Sequence, residues 1–221
     1  MGKATLTYFA VRGRAEPARL VLEDQGVDYE NRFVSMEEWP KLKPEFKFGQ
    51  LPVYSDDENR IEESFAIYNH LARRFGLLPK SEKDLIRHDQ VNSLILTSAL
   101  ELGMLFWDPQ FEKKRGEMRE QKLPTRLRNL ERFHSETSGP YWMGDRIHYA
   151  DYGVWCYLDT VRMFAEDILR DYPRLSLFKK TMESRPRINA YLRSDRRPKS
   201  YTVSMAPFGG GNDDWQPEPL G

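Results

Sequence analysis

The sequence predicts an α+β protein, a small mixed sheet backed by helices and then an all-helical half. Three observations carry this. Between residues 6 and 75, β-type runs and helical patterns follow in the order β-α-β, irregular segment, β-β-α. Beyond Gly76-Leu77-Leu78-Pro79-Lys80-Ser81 the apolar period is helical almost throughout. The 221 residues are 39% hydrophobic and 13% aromatic, which is core material for one large or two small domains and too much for a disordered chain.

Each element has its own signal. Leu6-Thr7-Tyr8-Phe9 is a short strand, and Val11-Arg12-Gly13-Arg14 leads out of it. Across 15–25, Ala18, Val21 and Leu22 fall at i, i+3 and i+4, Pro17 is tolerated in the first turn, and Gly26 supplies the stop. Residues 29–34 form the next strand. Residues 51–54 and 60–62 flank Ser55-Asp56-Asp57-Glu58-Asn59, the pattern of a hairpin. A helix beginning at Ser64 carries Phe65, Ile67, Tyr68 and Leu71 on its apolar side. Helical stretches near 82–107, 112–136, 149–168, 174–184 and 187–194 are separated by Asp108-Pro109, Ser138-Gly139-Pro140, Tyr172-Pro173 and Arg185-Pro186. From Pro198 onward Gly, Pro, Asn and Asp dominate, and Gly209-Gly210-Gly211 reads as a flexible joint. The expected division is a first domain 1–76, a linker 77–83, a helical domain 84–200 and an irregular tail 201–221.

Charge and cysteine content exclude several classes. Lys+Arg and Asp+Glu each number 34, so the formal charge is zero and nothing favours nucleic acid. A single cysteine, Cys156, rules out a disulfide framework and a cysteine-ligated metal cluster. No run approaches the ~18 apolar residues of a membrane span. The start MGKATLTYF has neither a signal peptide's apolar stretch nor transit-peptide character, so a cytoplasmic location is expected, with no membrane and no metal.

Four local features bear on chemistry. Tyr8 closes the first strand, at the carboxyl edge where open α/β sheets take ligands, although such a tyrosine alone is usually a packing residue. Gly49-Gln50-Leu51-Pro52 precedes a strand; a cis Leu51-Pro52 bond would turn the Leu51 backbone outward, free to pair with an extended peptide. In Glu62-Glu63-Ser64-Phe65, Ser64 sits at a strand-to-helix junction. It is either a plain N-cap or part of a carboxylate site at the helix N-terminus, with Glu63 placed for an ammonium. His148-Tyr149-Ala150-Asp151 reads as a capping box with Ile147 and Tyr152 as its staple. Cys156 lies in an apolar helical context and reads as an inert thiol. Arg193, Arg196, Arg197 and Lys199 read as the solvated end of the last helix.

Taken together, these segments resemble the cytosolic glutathione S-transferases, the sigma class most closely, with pi and mu as near relatives. The resemblance spans about residues 4–200. It runs through Leu6-Thr7-Tyr8-Phe9, Arg12-Gly13-Arg14-Ala15-Glu16, Trp39-Pro40-Lys41-Leu42-Lys43, Phe48-Gly49-Gln50-Leu51-Pro52, Glu63-Ser64-Phe65-Ala66-Ile67 and Gly144-Asp145-Arg146-Ile147-His148-Tyr149-Ala150-Asp151. It implies a thioredoxin-like N-terminal domain, an all-α C-terminal domain and a homodimer. It also implies glutathione as co-substrate, its thiolate adding to a small, mostly hydrophobic electrophile in detoxification.

By that resemblance Tyr8 and Arg14 are the catalytic residues, the Tyr8 hydroxyl bonding the glutathione sulfur and Arg14 supporting it electrostatically. A free thiol with pKa ~8.5 needs a shift of ~1.5 units, or ~2 kcal/mol, to ionise near neutrality. One hydrogen bond to a charged group is worth ~1.5–3 kcal/mol, so a single phenol suffices. Trp39 and Lys43 would meet the glycyl end, Leu51 beside cis Pro52 would pair with the cysteinyl unit, and Gln50, Glu63 and Ser64 would hold the peptide and its γ-glutamyl end. Val11, Arg12, Met104 and Trp107 would line the electrophile pocket, with Trp215 folding over it, and Phe48 would plug into the partner subunit. Thr97 stands where the family usually places an acid that crosses the dimer interface. Two other readings share the scaffold: a glutathione-dependent isomerase of the prostaglandin D synthase type, and a crystallin-like structural protein.

Overall fold

A computed structural model describes residues 3–210. Strand β1 (Ala4–Phe9) lies inside the sheet, with Leu6 fully buried. It runs parallel to β2 (Tyr29–Val34), Ala4 opposite Tyr29 and Phe9 opposite Val34. On its other side it pairs antiparallel with β3 (Val53–Ser55), which pairs antiparallel with β4 (Arg60–Glu62). The order β2-β1-β3-β4 is the thioredoxin-like arrangement. Helices α1 (Glu16–Asp24) and α3 (Ser64–Arg74) back the sheet through Ala18, Val21 and Leu22 and through Ile67, Leu71 and Ala72, all fully buried. The expected 51–54 strand starts later, at Val53, which pairs with Thr7; Pro52 before it has no N–H to give a ladder. Between β2 and β3, the stretch read as irregular holds a short helix α2 (Trp39–Leu42) and a 3₁₀ turn over Lys43–Glu45.

The second half is helical: α4 (Glu82–Phe106), α5 (Phe111–Glu117), α6 (Leu123–Ser135), α7 (Tyr149–Phe164), α8 (Pro173–Ser184) and α9 (Pro186–Leu192). Ser81 caps α4 by accepting the Asp84 N–H at 3.1 Å. The expected single helix over 112–136 carries a π-helical turn at Met118–Lys122, where the Leu123 N–H reaches back to Met118 O. Pro124 follows at once; its ring and missing N–H disfavour a regular turn there, and widening the helix accommodates it. Ahead of α7, the Asp151 carboxylate accepts the N–H groups of His148 (2.7 Å) and Trp142 (3.0 Å), the reach-back bond expected of a capping box. Helix α7 is the spine, packed on α1, α4 and α8 with Val154, Trp155, Leu158 and Val161 fully buried. One apolar core therefore runs through both halves.

Charged side chains also cross between the halves, inside that core. Asp159 on α7 binds Arg12 (3.3 Å) and Arg197 (2.7 Å); Arg197 binds Glu16 (2.8 Å), and Glu16 binds Arg19 (3.1 Å). The Tyr191 hydroxyl donates to Glu16 at 3.2 Å. None of these charged side chains is more than 5% exposed. Arg197 thus corrects the reading of a solvated basic cluster: charge complementarity with Asp159 and Glu16 draws it inside, and Arg196 bonds Glu23. The glycine joint is also revised in its described part. Gly209 O accepts the N–H groups of Tyr201 (3.0 Å) and Thr202 (2.9 Å), so Gly209 and Gly210 close a tight loop. Trp215 lies outside the described residues.

Candidate active site

The Tyr8 ring is held on three sides. Phe9 tilts against it at 5.7 Å, and the Arg19 guanidinium lies 5.9 Å from its centroid. A small apolar cluster of Val34, Leu51 and Val53 packs against Tyr8, Phe9, Trp39, Leu42 and Phe46. Three residues expected in one site, Tyr8, Leu51 and Trp39, are therefore joined by that cluster. Trp39 is fixed further by edge contact with Phe9 (5.9 Å) and by Phe46 (5.5 Å).

The phenol oxygen of Tyr8 accepts the Arg14 backbone N–H at 3.3 Å. That bond depends on the turn before it. Gly13 has φ +37°, and a Cβ there would stand 2.8 Å from the Tyr8 oxygen. Arg19 donates to the carbonyls of Val11 (2.9 Å) and Arg12 (3.3 Å), and the Tyr68 hydroxyl donates to Arg14 O. With a lone pair given to Arg14 N–H, the single Tyr8 hydrogen is left to donate outward. Burial raises the Tyr8 pKa above 10.0, outweighing the lowering by the Arg14 N–H and by the Arg14 and Arg19 charges, so the phenol keeps its proton. Arg14 acts on the phenol through its main-chain N–H and, from an exposed side chain, through its charge.

The helix entrance at Ser64 departs from a plain cap. Glu63 is the N-cap of α3, with φ 72° and ψ 118° and no side-chain cap bond, and Ser64 is the first helical residue, 6% exposed. A non-glycine residue at that φ costs on the order of 1–3 kcal/mol, and such strain gathers at ligand sites. The Ser64 hydroxyl neighbours the Tyr68 phenol, which links this corner to the Arg14 turn. Lys43 and Gln50 are exposed, and the Lys43 stem lies over Gly49, whose φ is +57°.

The remaining expected residues differ in exposure. Arg12, expected on the electrophile wall, is 2% exposed with its guanidinium on Asp159 and on the Met163 sulfur (3.1 Å). Pairing removes it from any open wall. Val11 is buried, whereas Met104 and Trp107 are exposed at the end of α4. Phe48 is 62% exposed on a loop clamped by Glu62, whose carboxylate accepts the Lys47 and Phe48 N–H groups, each at 3.0 Å. Thr97 faces out, its hydroxyl on Ser93 O at 3.0 Å. Burial pushes the Cys156 thiol pKa well up. Sequence reasoning missed Arg19 and the roles of Gly13 and Tyr68. Arg19 sits between Ala18 and Leu20 in an ordinary helical pattern, so no local signal marks it.

Fold and site define a class: a thioredoxin-like sheet with an all-helical partner domain, its ligand edge carrying a phenol where a thiol pair is absent. Residues 4–73 match the glutathione S-transferase N-terminal domain and residues 101–195 the C-terminal domain. The chain is 31% identical to the class-mu 26 kDa isozyme 7 glutathione S-transferase of Fasciola hepatica, over 95% of this chain and 97% of that one. The pi-class glutathione S-transferase of Onchocerca volvulus superposes with a TM-score of 0.87 at 26% identity, over 93% of this chain and all of the other. A sigma-class enzyme of Fasciola hepatica superposes at 0.80 and 28% identity, over 86% of this chain and 95% of the other. The chain belongs to the glutathione S-transferase family, among its mu, pi and sigma types.

Proposed function

We propose that the glutathione S-transferase activity of this chain runs through Tyr8, whose hydroxyl donates to the sulfur of bound glutathione and holds it as thiolate. The carrying observation is the 3.3 Å bond from Arg14 N–H to the phenol oxygen, which leaves the phenol hydrogen available and oriented. The thiol proton leaves to solvent. The thiolate then attacks the electrophilic carbon, and in a substitution the leaving group departs with its electron pair. The protein forms no covalent bond; it stabilises the anion and aligns the two reactants. Lys43 meets the glycyl carboxylate with Trp39 beside it. Leu51 pairs with the cysteinyl backbone. Gln50, Glu63 and Ser64 take the γ-glutamyl end, the α3 N-terminus favouring its carboxylate and Glu63 its ammonium.

The electrophile binds between Val11 and the α4 end at Met104 and Trp107. The protein is a cytoplasmic homodimer, and the exposed Phe48 ring on its clamped loop inserts into the second copy. The first domain, 1–76, supplies the glutathione site and the helical domain, 84–200, the electrophile wall. Retention on immobilised glutathione, with conjugation of chlorodinitrobenzene by the eluted protein, tests the reading. A chain that flows through and conjugates nothing is a structural protein on this scaffold. Sedimentation of wild type against Phe48→Ala tests the dimer.

A further inference from the structure

We infer that residues 200–209 are a positioning strap for the Tyr8 hydroxyl, acting through the turn that supplies its hydrogen-bond donor. The inference rests on the Tyr8 reading above. The Arg12 N–H donates to Ser200 O and the Gly13 N–H to Tyr201 O, both at 2.9 Å. The next N–H along the chain, that of Arg14, is the one bound to Tyr8. The two donors preceding the catalytic one are thus fixed by chain nearly two hundred positions away.

The strap is itself braced. Tyr201 and Thr202 donate to Gly209 O, which closes the loop, and Ala206 N–H donates to Val203 O at 3.1 Å. Phe208 stacks on Phe111 (5.0 Å between centroids, 21°) and lies 4.9 Å from Phe106 and 5.7 Å from Phe164. Tyr201 packs edge-on to Phe106 at 5.4 Å, and its hydroxyl stands 4.0 Å from where a Cβ on Gly103 would lie. Aromatic packing on α4, α5 and α7 therefore fixes two carbonyls, and the carbonyls fix the Arg12-Gly13-Arg14 turn. Their effect is to keep the Arg14 N–H on the phenol, so that its hydrogen aims at the sulfur.

Gly210 offers a local way to open the strap, since a Cβ there would stand 2.3 Å from Val203 O. The test compares Gly210→Ala and Phe208→Ala with wild type and with Phe178→Leu, a core change in the helical domain far from the strap. The pKa of the bound thiol is read from the pH dependence of kcat/KM toward an aryl chloride, with KM for glutathione and melting temperature measured alongside. The expected result is a thiol pKa higher by about one unit in the strap variants, hence about tenfold less kcat/KM on the acidic limb and convergence at alkaline pH. KM for glutathione changes less than about threefold, because the peptide's other contacts lie on separate elements. If Gly210→Ala does not fold, Phe208→Ala gives the same readout. An unshifted thiol pKa in a folded strap variant overturns the inference, as does an equal shift in Phe178→Leu. A wild-type complex whose thiol pKa is not depressed refutes the Tyr8 reading itself, and the strap's role with it.

Discussion

Replacing Tyr8 by Phe removes one oxygen and keeps the ring, whose contacts with Phe9 and the Arg19 guanidinium do not involve the hydroxyl. Two interactions vanish: the donor to sulfur and the acceptor of Arg14 N–H. A hydrogen bond to a charged group is worth ~1.5–3 kcal/mol. At ~1.36 kcal/mol per unit, the bound thiol should titrate about 1–2 units higher. Below that pKa, kcat/KM falls by about 10–100-fold, and the gap closes above pH ~9, where the thiol ionises unaided. The phenol does not blur the comparison, because burial keeps its own pKa above 10.0. The assay is kcat/KM against pH with an aryl chloride, paired with ultraviolet titration of the thiolate in the binary complex. A profile superimposable on wild type refutes the argument. So does a loss equal at every pH, since that would place Tyr8 in alignment rather than in ionisation.

Three further outcomes follow from geometry. Gly13→Ala puts a methyl 2.8 Å from the Tyr8 oxygen at φ +37°, so it should lower kcat/KM at least about tenfold through a displaced hydroxyl, while circular dichroism shows a folded protein. Asp151→Ala leaves the His148 and Trp142 N–H groups without their acceptor in a fully buried site; two orphaned donors at ~1–3 kcal/mol each predict a loss of about 2–6 kcal/mol in urea unfolding. His134 has its pKa lowered to about 4, by burial first and then by the Arg174 charge, against 6.5 for the free side chain. A depressed histidine pKa means the unfolded chain binds the proton more readily, so its contribution is present above pH 6.5 and is lost as pH falls toward about 4. Melting temperature should decline across that window in wild type and decline less in His134→Gln.

Much of the fold was legible because short-range rules decided it. The α1 stripe of Ala18, Val21 and Leu22 is fully buried as its spacing requires, and the Asp56-to-Asn59 turn closes β3 onto β4 through Asp56 N–H and Asn59 O at 2.9 Å. Boundaries slipped where the backbone itself is unusual: β3 begins two residues later than its apolar run, and the 112–136 helix widens before Pro124. The site was legible as residue types, and its wiring was not. Ser64 looked like a cap, yet Glu63 occupies that position with a φ that no propensity favours. Gly13 also holds Tyr201 O, far along the chain, and Arg197 turned inward because its counter-charges lie on α1 and α7. Pairings of that range leave no local pattern to read.

The lattice of arginines and carboxylates joining Arg12, Glu16 and Arg19 to Asp159 and Arg197 has a consequence for how the molecule comes apart. Separating the halves would break the Arg12–Asp159 and Glu16–Arg197 pairs, and losing one partner of such a buried pair costs about 3–5 kcal/mol. Neither half, cut free at 77–83, keeps the two pairs that cross between them. Heating or denaturant should therefore melt both together in one cooperative transition, and severed fragments should regain structure only when mixed.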